Sequence, residues 1–224
     1  MFDLHSRHRR LTQSQEDYLK AIYQLGGSAR MVGTSQLAER LGVSAASATE
    51  MLVKLASQGL ASHDRYHGAS LTAEGLAVAL EMVRHHRLLE MYLTRKLGYG
   101  WDEVHDEAEQ LEHVISERME ERIFEALGCP EVDCHGDPIP TLGGEVAATD
   151  YRSLVDVRVG DHVRVRRVSD RDPGKLRVLE KLGLRLGSEL EVVAESQYEG
   201  PIEVRVAGRR RQVPLGVARV VFVQ

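Results

Sequence analysis

Disulfides, membrane spans and the common catalytic signatures are all missing from this chain. Its 224 residues hold only two cysteines, Cys129 and Cys134. That is too few for a disulfide scaffold, so a reducing, cytoplasmic setting is the default expectation. No apolar run approaches the ~18 residues that a membrane-spanning helix needs. Met1 to Arg10 carry charge but none of the apolar stretch of a secretory signal. There is no internal repeat and no low-complexity segment. H-E-x-x-H, G-x-S-x-G and a glycine-rich phosphate loop are absent too. A Ser/His/Asp set can always be picked from a chain with 10 histidines, so no enzymatic activity is expected.

What is present suffices for two or three small domains with a proper core, since 42% of the residues are hydrophobic. The net charge of −5 hides a segregation: residues 1–70 are net +2, residues 71–150 net −12 and residues 151–224 net +5. An acidic middle repels phosphate and suits cations, whereas a mildly basic N-terminal segment suits DNA.

From Ser14 to about Leu25, the apolar residues Tyr18, Leu19, Ile22, Tyr23 and Leu25 share a helical face that Gly26-Gly27 ends. Thr34 is placed to cap a short helix over residues 35–41, closed by Gly42. Ser44 caps a second helix to about Gln58, with Ala48, Met51, Leu52 and Leu55 inward. Helix, glycine-containing turn, helix is the helix-turn-helix pattern, and residues 60–71 read as two short strands around a polar turn, a wing. Many small helical cores contain such a helix pair. The wing, and the small polar residues on the outer face of the second helix, favour DNA. Ser44, Ser47, Thr49 and Glu50 lie on that face. Short hydroxyl side chains let a helix sit deep in the major groove, and a glutamate accepts from cytosine.

Thr72 opens a long helix to about Leu97, and another runs from about Asp102 to Leu127, stopped by Gly128 and Pro130. Residues 129–150, rich in proline and glycine, are a loop and linker. From about Val155 the apolar period becomes two: Val163, Val165 and Val168, then Leu190 and Val192, then Ile202, Val204 and Val206, then Val220 and Phe222. These are short strands of a small barrel. One helix interrupts them, with Asp172 as its N-cap and Pro173 at its first position. The expected organisation is a mainly α N-terminal winged helix-turn-helix (1–73), a helical segment with its linker (74–149) and a small all-β barrel (150–224).

The densest group of metal-capable side chains is His105, Glu109, Glu112 and His113, spaced 0, +4, +7 and +8. On one continuous helix they would fall within an arc of roughly 100°. The preceding helix offers His86 and Glu90 at i, i+4. Imidazole and carboxylate suit Mn²⁺, Fe²⁺ and Zn²⁺. The plain alternative is a solvated acidic helix face. Cys129, Cys134 and His135 suggest a zinc knuckle only weakly, because no second pair follows the C-x₄-C-H spacing.

Several spaced motifs resemble the diphtheria toxin repressor family. They are Glu16-Asp17-Tyr18-Leu19-Lys20-Ala21-Ile22-Tyr23, His86-Arg87-Leu88-Leu89-Glu90, Val104 to His113, and His135-Gly136-Asp137-Pro138-Ile139-Pro140. Residues 10–142 carry the resemblance, and the last segment is similar to the family's SH3-like (FeoA-like) third domain. The resemblance implies a homodimeric, metal-dependent repressor that binds palindromic operator DNA and controls metal homeostasis genes. It implies one metal site on His86, Glu90 and His105, with further ligands from the third domain, where Asp170 and Asp172 lie in the corresponding segment. The activating site would use Asp17, Glu109, Glu112 and His113. Iron-type members commonly carry Met and Cys where this chain has Asp17 and Glu109. Manganese-type members carry the Asp and Glu seen here, have an acidic residue in place of Lys20, and usually lack the third domain. Mn²⁺ is therefore the expected activator, with Fe²⁺ as the alternative. A metalloenzyme using the same helices, and a metal-independent regulator, are rival readings.

Overall fold

The computed structural model describes residues 11–169, 172–195 and 200–224. Asp170 lies outside the described residues. The described chain packs as two compact units, each assembled from separated stretches. The first contains the residues up to His86, with Glu112–Ile115 and Pro140–Glu145. The second contains Arg87–Leu111, Ser116–Ile139 and Val146–Gln224.

In the first unit, α1 (Gln13–Gln24) opens with a reciprocal capping box between Thr12 and Gln15, which satisfies two of the N–H groups that every helix start leaves orphaned. Helix α2 (Thr34–Leu41) has Gly33 at its N-cap, so Thr34 is its first helical residue and not the cap expected from sequence. Gly42 closes it at φ 65°, and Ser44 caps α3 (Ala45–Ser57) by accepting from the Ser47 amide. Tyr18, Leu19, Ile22, Leu37, Ala48, Leu52 and Leu55 join in one buried core. Strands β1 (Ala61–Asp64) and β2 (Gly68–Leu71) pair antiparallel as the wing. Val32 adds a bridge to Ala69 on the outer side of β2. Gly68 is required there: at φ 96° a Cβ would stand 1.9 Å from the Val32 carbonyl.

Helix α4 (Ala73–Tyr92) begins in the first unit and ends in the second. It passes into a π-helical turn, Leu93–Leu97, that Gly98 terminates. The single helix expected from Asp102 to Leu127 is two helices, α5 (Val104–Leu111) and α6 (Glu117–Ala126), separated by a turn. No glycine or proline marks the break. Ser116 caps α6 by accepting from the Met119 amide, and the buried Glu112 side chain takes its partners from the first unit, as described below. Tertiary polar contacts therefore override a helical sequence pattern.

The C-terminal part of the second unit is a six-stranded sheet in the order β3-β8-β4-β5-β6-β7, comprising β3 (Arg152–Ser153), β4 (His162–Val168), β5 (Glu189–Ala194), β6 (Ile202–Val206), β7 (Arg209–Val213) and β8 (Val221–Val223). Val163, Val165, Leu190, Val192, Val204 and Val206 point into its core as their alternation requires. The last strand is shifted by one residue from the sequence reading. Val221 and Val223 are buried, and Phe222 instead lies under the Arg167 guanidinium at 3.8 Å. Helix α7 (Pro173–Leu182) has Asp172 as N-cap and Pro173 in its first turn, as read from sequence.

Candidate metal centres and nucleic-acid interface

The turn that breaks the expected long helix is where the first cluster forms. His113 places Nε2 at 2.9 Å from Asp17 Oδ1 and 3.6 Å from Glu112 Oε1. Asp17 is carried by α1, while Glu112 and His113 follow α5, so distant parts of the sequence meet within the first unit. The other imidazole nitrogen, Nδ1, lies 2.7 Å from Glu16 Oε2. A carboxylate in that place takes the Nδ1–H and fixes the tautomer that leaves Nε2 to bind a cation. Ligand atoms of Asp17, Glu112 and His113 all lie within 4.8 Å of one another. Neighbouring ligands of a first-row divalent ion sit ~3 Å apart, so the donor set and its spacing fit such an ion. Burial alone would lower the His113 pKa, but hydrogen bonds to Asp17 and Glu16 and the charges of Glu112 and Asp17 raise it to about 9.

Glu112 itself is fully buried. Lys20 Nζ meets its two oxygens at 2.8 and 2.7 Å. His86 Nδ1 lies 2.6 Å from Oε2, and the Glu112 backbone carbonyl is 3.0 Å from His85 Nδ1.

The second cluster belongs to the second unit. His105 Nδ1 lies 3.3 Å from Glu90 Oε1, and its Nε2 is 3.8 Å from Glu109 Oε1. Glu90 Oε2 stands 3.5 Å from Nδ1 of His135, and that nitrogen is 3.4 Å from Cys134 Sγ. Glu90, Cys134 and His135 offer ligand atoms within 4.8 Å of one another. His135 Nε2 is 3.1 Å from the Trp101 carbonyl, which takes its N–H and turns Nδ1 toward the cluster. The Trp101 ring stacks on the same imidazole, with centroids 5.9 Å apart.

The loop that carries Cys134 and His135 is fixed by Asp133, whose Oδ1 accepts from the amides of His135 and Asp137 at 2.8 and 2.9 Å. Gly136, at φ 87°, lets the loop approach β4: a Cβ would stand 2.0 Å from the Arg166 carbonyl. The Val168 amide donates to the His135 carbonyl. Burial pushes the Cys134 thiol up, while His135 pulls it back. Burial alone would lower His135, and its contacts with Cys134 and Glu90 raise it. Burial, with the charges of Asp137 and Glu90, lifts Asp133 to about 7.

The structure therefore regroups the residues singled out in the sequence. Asp17, Glu112 and His113 come together, and Glu109 lies in the second unit beside His105. Glu90 and His105 meet, and His86 belongs to the first unit with Glu112 and Lys20. The Asp172 carboxylate is engaged as a helix cap, accepting from the Lys175 amide at 3.2 Å. Sequence reasoning missed three participants. Glu16 sits beside Asp17 and is read only with its imidazole partner in view, and Cys134 and His135 lack a second pair until Glu90 supplies a carboxylate.

On α3, Ser44, Ser47, Thr49 and Glu50 are all exposed, as expected. The three hydroxyls are already engaged locally. Thr49 Oγ1 donates to the Ala45 carbonyl at 2.8 Å, and the Ser44 and Ser47 hydroxyls lie 2.9 Å apart. At the wing tip, Tyr66 is 86% exposed. Asp64 orders that tip by accepting from the Tyr66 and His67 amides.

Three family descriptions match consecutive stretches. The iron-dependent repressor N-terminal DNA-binding domain matches residues 10–69, the iron-dependent repressor metal-binding and dimerisation domain matches residues 72–141, and the FeoA domain matches residues 152–224. The diphtheria toxin repressor of Corynebacterium efficiens is 30% identical over 195 residues, covering 83% of this chain and 85% of that protein. The iron-dependent repressor IdeR of Mycobacterium tuberculosis is 32% identical over 183 residues, covering 77% of this chain and 79% of that protein. A solved manganese-dependent transcriptional repressor in complex with manganese aligns at TM-score 0.86 and 44% identity, over 93% of this chain and 98% of that one. The manganese regulator SloR aligns at TM-score 0.75 and 33% identity, over 96% and 99%. No helix among the described residues is long and apolar enough to cross a membrane. The chain belongs to the diphtheria toxin repressor family, and it is a metal-dependent, DNA-binding transcriptional repressor and not an enzyme.

Proposed function

We propose that this repressor responds to manganese. Loaded with Mn²⁺, it would bind a palindromic operator as a homodimer and control genes of metal homeostasis. The observation that carries the reading is the donor set Asp17, Glu112 and His113, which contains oxygen and nitrogen and no sulfur. Carboxylates favour hard ions, and Mn²⁺ is the hardest of the first-row candidates. The names of the solved relatives aligned above point the same way.

A divalent ion bound there supplies two positive charges and a fixed set of coordination directions. Asp17 anchors α1 to the Glu112–His113 turn, and α1 packs in the same core as α2 and α3. An ion held by Asp17, Glu112 and His113 together would replace the imidazolium proton that His113 shares with Asp17 and tie α1 to the turn more firmly, so the metal shifts the population toward one setting of the DNA-binding helices. Operator and metal then strengthen each other's binding by the same factor. A two-fold dimer would match the two half-sites of a palindrome. A supporting metal site is proposed on Glu90, Cys134 and His135, with His105 beside Glu90. Asp172 is left out of it because its carboxylate caps α7.

Ser44, Ser47, Thr49 and Glu50 are proposed to face the operator. Because Thr49 Oγ1 is bonded to its own helix, its methyl is the group presented, suited to a thymine methyl, and Glu50 is placed to accept from a cytosine amino group.

The deciding experiment is operator binding by the metal-stripped protein against Mn²⁺, Fe²⁺, Zn²⁺ and Co²⁺ in turn. Mn²⁺ activates at least as fully as Fe²⁺ at saturation, and Zn²⁺ binds tightly but activates less well, because it tends toward four ligands. A response to Fe²⁺ with none to saturating Mn²⁺ overturns the manganese reading and favours the iron alternative.

A further inference from the structure

Lys20 lies on α1 three residues beyond Asp17 and is 4% exposed. Its ammonium meets both oxygens of the fully buried Glu112 carboxylate at 2.8 and 2.7 Å, with His86 Nδ1 at 3.3 Å. The same carboxylate faces Nε2 of His113 at 3.6 Å, and that nitrogen is 2.9 Å from Asp17. Glu112 thus stands between two places suited to a cation. One is bounded by Asp17, Glu112 and His113. The other, bounded by Glu112 and His86, holds the ammonium of Lys20.

A carboxylate with both oxygens turned to one point and an imidazole beside it is a donor arrangement that divalent ions accept. A fixed positive charge at that point repels a second divalent ion and occupies its ligands, and in a buried setting that repulsion is screened little. We propose that Lys20 is a tethered second cation. Its ammonium takes the position beside Glu112 and His86 that a second divalent ion would otherwise occupy, so this cluster loads one ion per protomer and responds to the first power of metal concentration. The proposal rests on the reading of Asp17, Glu112 and His113 as metal ligands. An ammonium that merely neutralises Glu112 makes a different prediction: removing it lowers stability and leaves the ion count unchanged.

The test uses the full-length, metal-stripped protein, its Lys20→Arg, Lys20→Met and Lys20→Glu variants, and a His113→Ala control. Mn²⁺ bound per protomer is counted at equilibrium, and electron paramagnetic resonance reports whether two ions share a bridging carboxylate. Folding is checked by circular dichroism. Wild type and Lys20→Arg show no exchange-coupled pair. Lys20→Glu gains one Mn²⁺ per protomer, a coupled signal and a steeper metal dependence of operator binding, and Lys20→Met shows the same gain with weaker affinity. A coupled pair in wild type or in Lys20→Arg overturns the proposal without relying on a destabilised variant. So does a folded Lys20→Glu protein with the wild-type ion count. If His113→Ala leaves the wild-type count unchanged, the metal assignment of the cluster fails first, and the proposal falls with it.

Discussion

The two clusters solve the same orientation problem with different chemistry. Each sets one imidazole toward a glutamate and fixes it through a hydrogen bond to the other ring nitrogen. For His113 that partner is the Glu16 side chain; for His135 it is the Trp101 backbone carbonyl. The first cluster completes its donor set with Asp17, the second with Cys134. The first therefore offers hard donors, an anionic orienting group and a buried ammonium, while the second offers a thiol in a loop pinned by Asp133 and packed under Trp101. Side-chain orienters can be altered by mutation and respond to charge, whereas a backbone carbonyl does neither. Metal choice should accordingly concentrate in the first cluster.

The largest effect that contrast predicts is at His113. His113→Ala reduces metal-dependent operator binding by on the order of 100-fold or more, because it removes a ligand and not merely a ligand's support. The dimer stays folded by gel filtration and circular dichroism. Glu112→Ala is a poorer probe. It leaves Lys20 buried beside no carboxylate, and breaking a buried pair from one side costs about 3–5 kcal/mol. Wild-type metal response in His113→Ala would remove the first cluster from the mechanism and break the comparison.

Glu16→Gln is next in size. The amide can still meet Nδ1, but it no longer offers a full negative charge to the imidazole. The metal concentration at half-maximal operator binding rises about 10- to 100-fold, the range seen when such orienting partners are changed. An unchanged midpoint would make Glu16 a bystander and leave the two clusters alike in their indifference to the second partner.

Much of this was legible in the sequence, and the failures have physical causes. Ser44, Gly42 and the alternation in β4 to β6 act locally, so caps, turn and strands could be read from short windows. The break between α5 and α6 could not, because Glu112, at the break, is partnered by Lys20, 92 positions away. The one-residue shift in β8 arose because Val220, Val221, Phe222 and Val223 are all apolar, and alternation carries no phase in such a run. Of the four residues that the resemblance assigns to the activating site, Asp17, Glu112 and His113 lie within ligand spacing of one another while Glu109 lies beside His105, and a single helical arc is not the reason the three meet. Cys134 and His135 give only a weak signal in the sequence because spacing along the chain cannot show Glu90 arriving from α4.

Acidity gives a second handle on the first cluster. In the metal-free protein the His113 imidazolium is held at about 9, because its hydrogen bonds to Asp17 and Glu16 overcome the effect of burial. A metal must displace that proton. Below about pH 9 the apparent metal affinity of the first cluster therefore rises with pH, by about tenfold per unit for one proton released. Stability of the metal-free form runs the other way. A histidine whose pKa is raised on folding stabilises fully below its unfolded value of about 6.5, and that contribution is lost as pH rises through the folded value. Calorimetric Mn²⁺ titrations at pH 6, 7 and 8, in buffers of different ionisation heat, count the protons directly. A flat affinity across that range would contradict the hydrogen-bonded imidazolium.

The smallest expected effect on DNA binding is at Cys134, and it tests whether the second cluster supports or commands. Cys134→Ala leaves Glu90 and His135 in place, with the loop still fixed by Asp133 and by the Val168 amide on the His135 carbonyl. The thiol is the cluster's softest donor, and its removal should matter most for the softest ions. With Co²⁺ as a probe, the wild-type protein shows a thiolate-to-metal charge-transfer band that the variant lacks. Zn²⁺ affinity at this cluster falls about tenfold or more. Mn²⁺ gains little from a thiolate, so the Mn²⁺ midpoint for operator binding moves by no more than about tenfold and the plateau stays at the wild-type level. Loss of the plateau in a folded Cys134→Ala dimer would show that the sulfur-containing cluster, and not the Asp17/Glu112/His113 cluster, governs the DNA-binding state.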